Sequence, residues 1–134
     1  MKSCLVNGIR QNHIDIQNRG IAYGDGLFTT AKVLNGSIEY LTAHIERLVL
    51  GCKKLGITPP NKQELRKQLT SVAKDHSLAV LKIIITANSG GRGYARAKSN
   101  NHDVIIMVHD YPHHYDAVAN IGLILGLSKQ QMGI

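Results

Sequence analysis

The sequence predicts an α+β fold, a mostly antiparallel sheet packed against two helices. Three observations predict it. Short apolar runs in the N-terminal third are joined by two Asn-Gly pairs, Asn7-Gly8 and Asn35-Gly36. These favour tight hairpins because both central positions of a type I′ turn need positive φ. The middle holds two consecutive amphipathic stretches separated by Pro59-Pro60, and two long β-branched runs follow, LAVLKIIITA and DVIIMVHD. Strands, then helices, then strands make a mixed sheet with its helices on one side.

Taken in order, SCLVN (3–7) reads as a strand, with Ile9 to Ile16 returning beside it. Asn18-Arg19-Gly20 and Gly24-Asp25-Gly26 bracket a compact irregular loop. Leu27 to Leu34 is a strand, and Ser37 to Leu41 returns from it. Thr42 is the expected N-cap of a helix in which Ile45, Leu48, Val49, Cys52 and Leu55 recur at helical spacing, with Gly56 as its stop. Asn61, with Glu64 three residues on, opens a second helix through Leu65, Leu69 and Val72, ending near His76. Leu78 to Ala87 is a central strand, NSGGRG (88–93) a glycine-rich loop and Asp103 to Asp110 another central strand. Pro112, His113 and His114 mark a linker, and Ile121 to Leu127 (IGLILGL) reads as one more strand. The expected domains are therefore 1–112, an N-terminal α+β domain, and 113–134, a linker and the first strand of a second domain cut short. A strand with nothing beside it is an aggregation liability, which is the physical hint of truncation.

Composition narrows the function. The hydrophobic fraction of 43% suffices for a core, and with five Tyr, one Phe and no Trp that core must be aliphatic. A net charge of +7 and a pI near 9.6 favour anionic partners: a phosphorylated cofactor, an acidic substrate or nucleic acid. Scattered basic residues and few aromatics argue against nucleic acid as partner. Cys4 and Cys52 lie far apart without metal-ligand spacing, and the seven histidines form no such pattern, so no metal is expected. No apolar run approaches membrane length, and a cytoplasmic protein without membrane contact is expected.

The candidate functional residues cluster around Arg19 to Leu48. His44 and Arg47, three apart, share one face of the first long helix. Arg offers a planar fork of donors suited to phosphate or carboxylate, although spacing alone equally describes a solvated arginine. Thr29 and Thr30 point to opposite faces of their strand, so at most one of them meets a site. Gly24-Asp25-Gly26 either cradles a ligand or turns the chain. Arg92 and Tyr94 occupy SGGRGYAR, a loop between buried strands, where a substrate contact and an ordinary exposed hairpin are equally open. It lacks the Lys-Ser/Thr ending of a P-loop. Lys82, inside LKIII, is the one lysine whose burial would lower its pKa, or else it ends on a solvated strand face. No nucleophile stands out.

Together, RGIAYGDGLFTTAKVLNG, HIERL and SGGRGY resemble the fold-type IV pyridoxal-phosphate enzymes, which include branched-chain aminotransferases, D-amino acid aminotransferases and aminodeoxychorismate lyases. The resemblance covers nearly the whole chain and implies the small N-terminal domain of that fold. GDG-x-FTT, SGGRGY and YPHHYD are most similar to the 4-amino-4-deoxychorismate lyases, which release pyruvate and form 4-aminobenzoate for folate synthesis. It implies pyridoxal 5′-phosphate as cofactor, with Arg47 on its phosphate and Arg92 near a substrate carboxylate. It also implies that Phe28, Thr29 and Thr30 shape the substrate site. Phe28 stands where the D-amino acid aminotransferases carry a tyrosine, which argues against their specificity. No catalytic residue is expected in this chain: the family's Schiff-base lysine has a Gly-x-Lys context that Lys129 does not match. The chain alone is therefore expected to be inactive, and its parent to be a homodimer acting on 4-amino-4-deoxychorismate, the alternative being a branched-chain or D-amino acid aminotransferase of the same fold type.

Overall fold

The computed structural model describes residues 1–98 and 101–130. In chain order it forms β1 (Ser3–Val6), β2 (Ile9–Arg10), α1 (Arg19–Tyr23), β3 (Gly26–Leu34), β4 (Ser37–Ile38), α2 (Leu41–Leu55), α3 (Lys62–Ala73), β5 (Leu78–Ala87), β6 (His102–His109) and α4 (His114–Ile121). The strands make one sheet in the order β2-β1-β6-β5-β3-β4, with every neighbouring pair antiparallel. The α+β class and the antiparallel sheet are as the sequence predicts.

Strand alternation gives the sheet two unlike faces. Register sets Thr29, Ala31 and Val33 of β3 level with Ile83, Leu81 and Ala79 of β5, and these with Ile106 and Val108 of β6. This face packs against Ile45, Leu48, Val49 and Cys52 of α2 and Leu65, Leu69 and Ala73 of α3. The core is aliphatic, and burying each of its Leu and Ile side chains contributes about 1.5–3 kcal/mol relative to exposure. The opposite face carries Phe28, Ile84, Ile105 and Met107, with Cys4 and Val6 of β1, around an apolar hollow of about 400 Å³.

Both Asn-Gly turns form as expected, with φ of 51° and 78° at Asn7-Gly8 and 49° and 75° at Asn35-Gly36. Several expectations need correction. The return strand over 9–16 stops at Arg10, and further on the chain turns at Asp15, whose carboxylate accepts from Gln17 N at 2.8 Å. The return strand over 37–41 likewise keeps only Ser37–Ile38. The irregular loop after Asn18 is the short helix α1: the Asn18 side chain accepts from Gly20 N, and Gly24 ends the helix at φ 65°. Thr42 is not a cap; α2 starts at Leu41 behind Tyr40, and the Thr42 hydroxyl instead accepts from Arg66 of α3 at 2.9 Å. Asn61 does cap α3, accepting from Gln63 N and Glu64 N, but the helix ends at Ala73.

The largest correction is at the C-terminal end. His114 opens α4 rather than lying in a linker, and residues 122–130 have no regular structure where a strand over 121–127 was expected. Ile124 and Leu127 stand fully in solvent. A strand needs a neighbour to satisfy its backbone, and no strand among the described residues pairs with this one.

Candidate functional site

The site is organised by the start of β3. Gly26 lies so close to β5 that a Cβ there would stand 2.6 Å from Ile85 O, so only glycine brings the turn against the sheet. Gly51 of α2 packs directly against the Leu27 side-chain tip. β4 pairs only with Val33 and Leu34, so the outer edge of β3 from Leu27 to Ala31 has no strand partner among the described residues. α2 runs over that edge.

His44, Arg47 and Gly51 lie on one stripe of α2 by their spacing. Gly51 meets Leu27, and His44 Nδ1 shares a 2.8 Å hydrogen bond with the hydroxyl of Thr29, which is 5% exposed. Arg47 lies between these two contacts, above the free edge of β3. It is exposed, and its guanidinium has no hydrogen bond or ion pair among the described residues. Burial, and secondarily the charge of Arg47, push His44 below its ordinary value.

The Gly24-Asp25-Gly26 turn carries no free acid. Asp25 accepts from Arg19 Nε at 2.8 Å and from Arg96 Nε and Nη2 at 2.8 and 2.5 Å. Those bonds and charges, Arg96 foremost, hold its carboxyl down at about 2. A second polar knot stands behind it. Asn18 Nδ2 donates to Thr86 Oγ1 and Asp103 Oδ2, both at 2.9 Å, and Asn7 Nδ2 donates to Asp103 Oδ1 at 2.9 Å. Asn18, Asp25 and Asp103 each bond two or more partners, which ties the turn to β5 and β6.

The expected site residues divide between two sides of the sheet. Thr29 and Arg47 are together on the helix side. Phe28 and Thr30 face the other way, Phe28 against the apolar hollow and beneath Lys82, whose Nζ lies 4.9 Å from the ring centre. Lys82 is thus on a partly exposed strand face, opposite Arg47. Arg92 and Tyr94 are exposed in the loop between β5 and β6, where Ala95 N bonds Arg92 O in a tight turn. Sequence reasoning missed Arg19 and Arg96. The available signal was an acid flanked by glycines, with arginines in both neighbouring turns.

The Arg47 guanidinium, without a partner among the described residues, thus stands beside the Thr29–His44 pair and is open to an anionic group. The family model for amino-transferase class IV matches residues 26–132. The chain belongs to this family. Among class IV relatives, an aminodeoxychorismate lyase of Vibrio harveyi is 35% identical over 130 residues, spanning 96% of this chain and 48% of that protein. The crystal structure of 4-amino-4-deoxychorismate lyase from Pseudomonas aeruginosa superposes with a TM-score of 0.75 at 33% identity, covering 83% of this chain and 42% of that one. A pyridoxal-phosphate-bound hypothetical aminotransferase from Mycobacterium tuberculosis shares the fold, with a TM-score of 0.74 at 16% identity over 88% of this chain and 43% of that one. The chain spans about half the length of the relatives it matches. No described helix is long and apolar enough to cross a membrane.

As a class IV site, the described residues fit one end of pyridoxal phosphate. Arg47 suits its phosphate, while Lys82, the one lysine of β5, lies over the Phe28 ring on the other face of the sheet.

Proposed function

We propose that this chain is the N-terminal portion of a cytoplasmic, homodimeric, pyridoxal-phosphate-dependent 4-amino-4-deoxychorismate lyase. Residues 1–112 form its small domain and 113–134 lead into a second. The free Arg47 guanidinium beside the Thr29–His44 pair carries the cofactor reading, and the likeness to the two lyases supports the substrate.

Arg47 would take the cofactor phosphate, and the Thr29–His44 bond would hold that turn of α2 against β3. When bound, pyridoxal phosphate supplies an electron sink for the ring carbon that bears the substrate amine. Arg92 would meet a carboxylate of the dianionic substrate, which the net charge of +7 draws in. Phe28 presents an apolar face without a hydroxyl, suited to a ring rather than to a small amino acid. Overall, the ring loses a proton and aromatises to 4-aminobenzoate as the bond between its carbon and the ether oxygen breaks, and the released enolpyruvate takes up a proton at its methylene carbon to leave as pyruvate.

Incubating the complete polypeptide with 4-amino-4-deoxychorismate and pyridoxal phosphate tests this reading. Equal yields of 4-aminobenzoate and pyruvate without any keto acid are expected. Turnover only when a keto acid is supplied would make it an aminotransferase. The 134-residue chain alone is expected to form no product.

A further inference from the structure

The loop between β5 and β6 has positive φ at Gly90, Gly91 and Gly93, a backbone with many conformations open to it. Charged contacts radiating from Asp25 fix it. Arg19, 3% exposed, donates to Gly93 O at 2.9 Å, Gly90 O at 3.3 Å and Ala95 O at 3.4 Å while paired to Asp25. Its guanidinium also lies 4.6 Å from the centre of the Tyr23 ring, and Gly93 N donates to the Tyr23 hydroxyl at 3.3 Å. Arg96, inside the loop, pairs with Asp25 from the other side and donates to Gly56 O at 2.7 Å, at the end of α2.

We infer that Asp25 is a positioning residue: through Arg19 and Arg96 it fixes the loop that presents Arg92, so that a substrate carboxylate meets a guanidinium already in place. Asp25 is not an acid or base for the reaction, because both its oxygens are engaged by guanidiniums. Through Arg96 and Gly56, the same carboxylate ties the loop to the helix that carries Arg47. This inference rests on the substrate reading of Arg92 given above, and its test separates the two.

The first arm measures Asp25→Asn, Arg92→Ala and their combination in the complete enzyme. Asp25→Asn is expected to raise KM about tenfold and leave kcat within about twofold, a loss of binding rather than of chemistry. The double variant should be no worse than Arg92→Ala alone. Multiplying effects, about a hundredfold in all, would overturn the inference, because independent sites add in free energy. The second arm needs no turnover. In the 134-residue chain, hydrogen exchange at the amides of 90–96 should be about tenfold or more faster in Asp25→Asn. Unchanged exchange overturns the positioning role whatever the enzyme's substrate proves to be. Absent lyase activity with faster exchange overturns only the substrate reading. If Asp25→Asn does not fold, Arg96→Gln, at a side chain 24% exposed, replaces it in both arms with the same expectations.

Discussion

Arg19 and Arg47 carry the same guanidinium in opposite circumstances. Arg19 opens a five-residue helix and is buried, matched to a carboxylate, three carbonyls and the face of a tyrosine. Arg47 sits mid-helix in α2, exposed and unmatched among the described residues. Taking a guanidinium out of water costs several kcal/mol and is sustained only where partners replace the water. Arg19 is therefore committed to the fold, and a ligand would have to displace partners already in place. Arg47 is committed to nothing, and an incoming phosphate meets it with only its hydration to shed. The difference separates an arginine committed to the fold from one that remains available to a ligand.

The sharpest way to break this contrast is to remove the buried arginine. Arg19→Met leaves three loop carbonyls unmatched and one side of Asp25 unpaired. A loss of about 3–5 kcal/mol in urea unfolding is expected, the range for breaking a buried pair by one partner. A loss below about 1 kcal/mol would place Arg19 with ordinary surface arginines.

Acid is the next largest probe. The Asp25 carboxyl lies at about 2 in the fold against an ordinary 3.8. A depressed carboxylate stabilises above its unfolded value, and that contribution disappears as pH falls through the folded one. It amounts to on the order of 2 kcal/mol at neutral pH. Unfolding midpoints should drop between about pH 5 and pH 2, and the drop should flatten in Asp25→Asn. An equally steep loss in that variant would show that other carboxylates carry the acid sensitivity.

What the sequence made legible follows the same division. Period-two and helical apolar patterns report burial of carbon, so the span of β5, the stripe of α2 and both Asn-Gly hairpins could be read directly. Buried charge has no local pattern. Arg19 and Arg96 look like any arginine beside a glycine, and only the folded chain brings them to Asp25. The helix α1 is too short to show a period. The run from Ile121 to Leu127 reads as a strand because propensity is local, whereas a strand exists only with a partner. Arg47, exposed on a helix, was nameable only through the HIERL resemblance, since its spacing equally describes a solvated side chain.

Neighbouring threonines give a smaller test of the same kind. Thr29 is buried against His44, and Thr30 is exposed on the opposite face. Thr29→Val keeps the shape but leaves His44 Nδ1 short of its partner, at a cost of about 1 kcal/mol. Thr30→Val should stay within about 0.5 kcal/mol. Equal effects at the two positions would refute the assignment of their faces.

The smallest expected change in stability comes from the exposed arginine itself. Arg47→Met should alter unfolding by no more than about 0.5 kcal/mol, since no described partner is lost. It should nevertheless move the titration of His44. Burial depresses that imidazole first, and the Arg47 charge depresses it further below its ordinary 6.5. Removing the charge relieves only the second cause, so the midpoint followed by NMR should rise yet stay below 6.5. The sign carries into stability. A depressed histidine loses stability as pH falls through its unfolded value, because the unfolded chain takes up the proton first. Arg47→Met should lessen that loss. If the midpoint does not move, Arg47 does not stand beside the Thr29–His44 pair, and the proposed phosphate contact loses its geometric support.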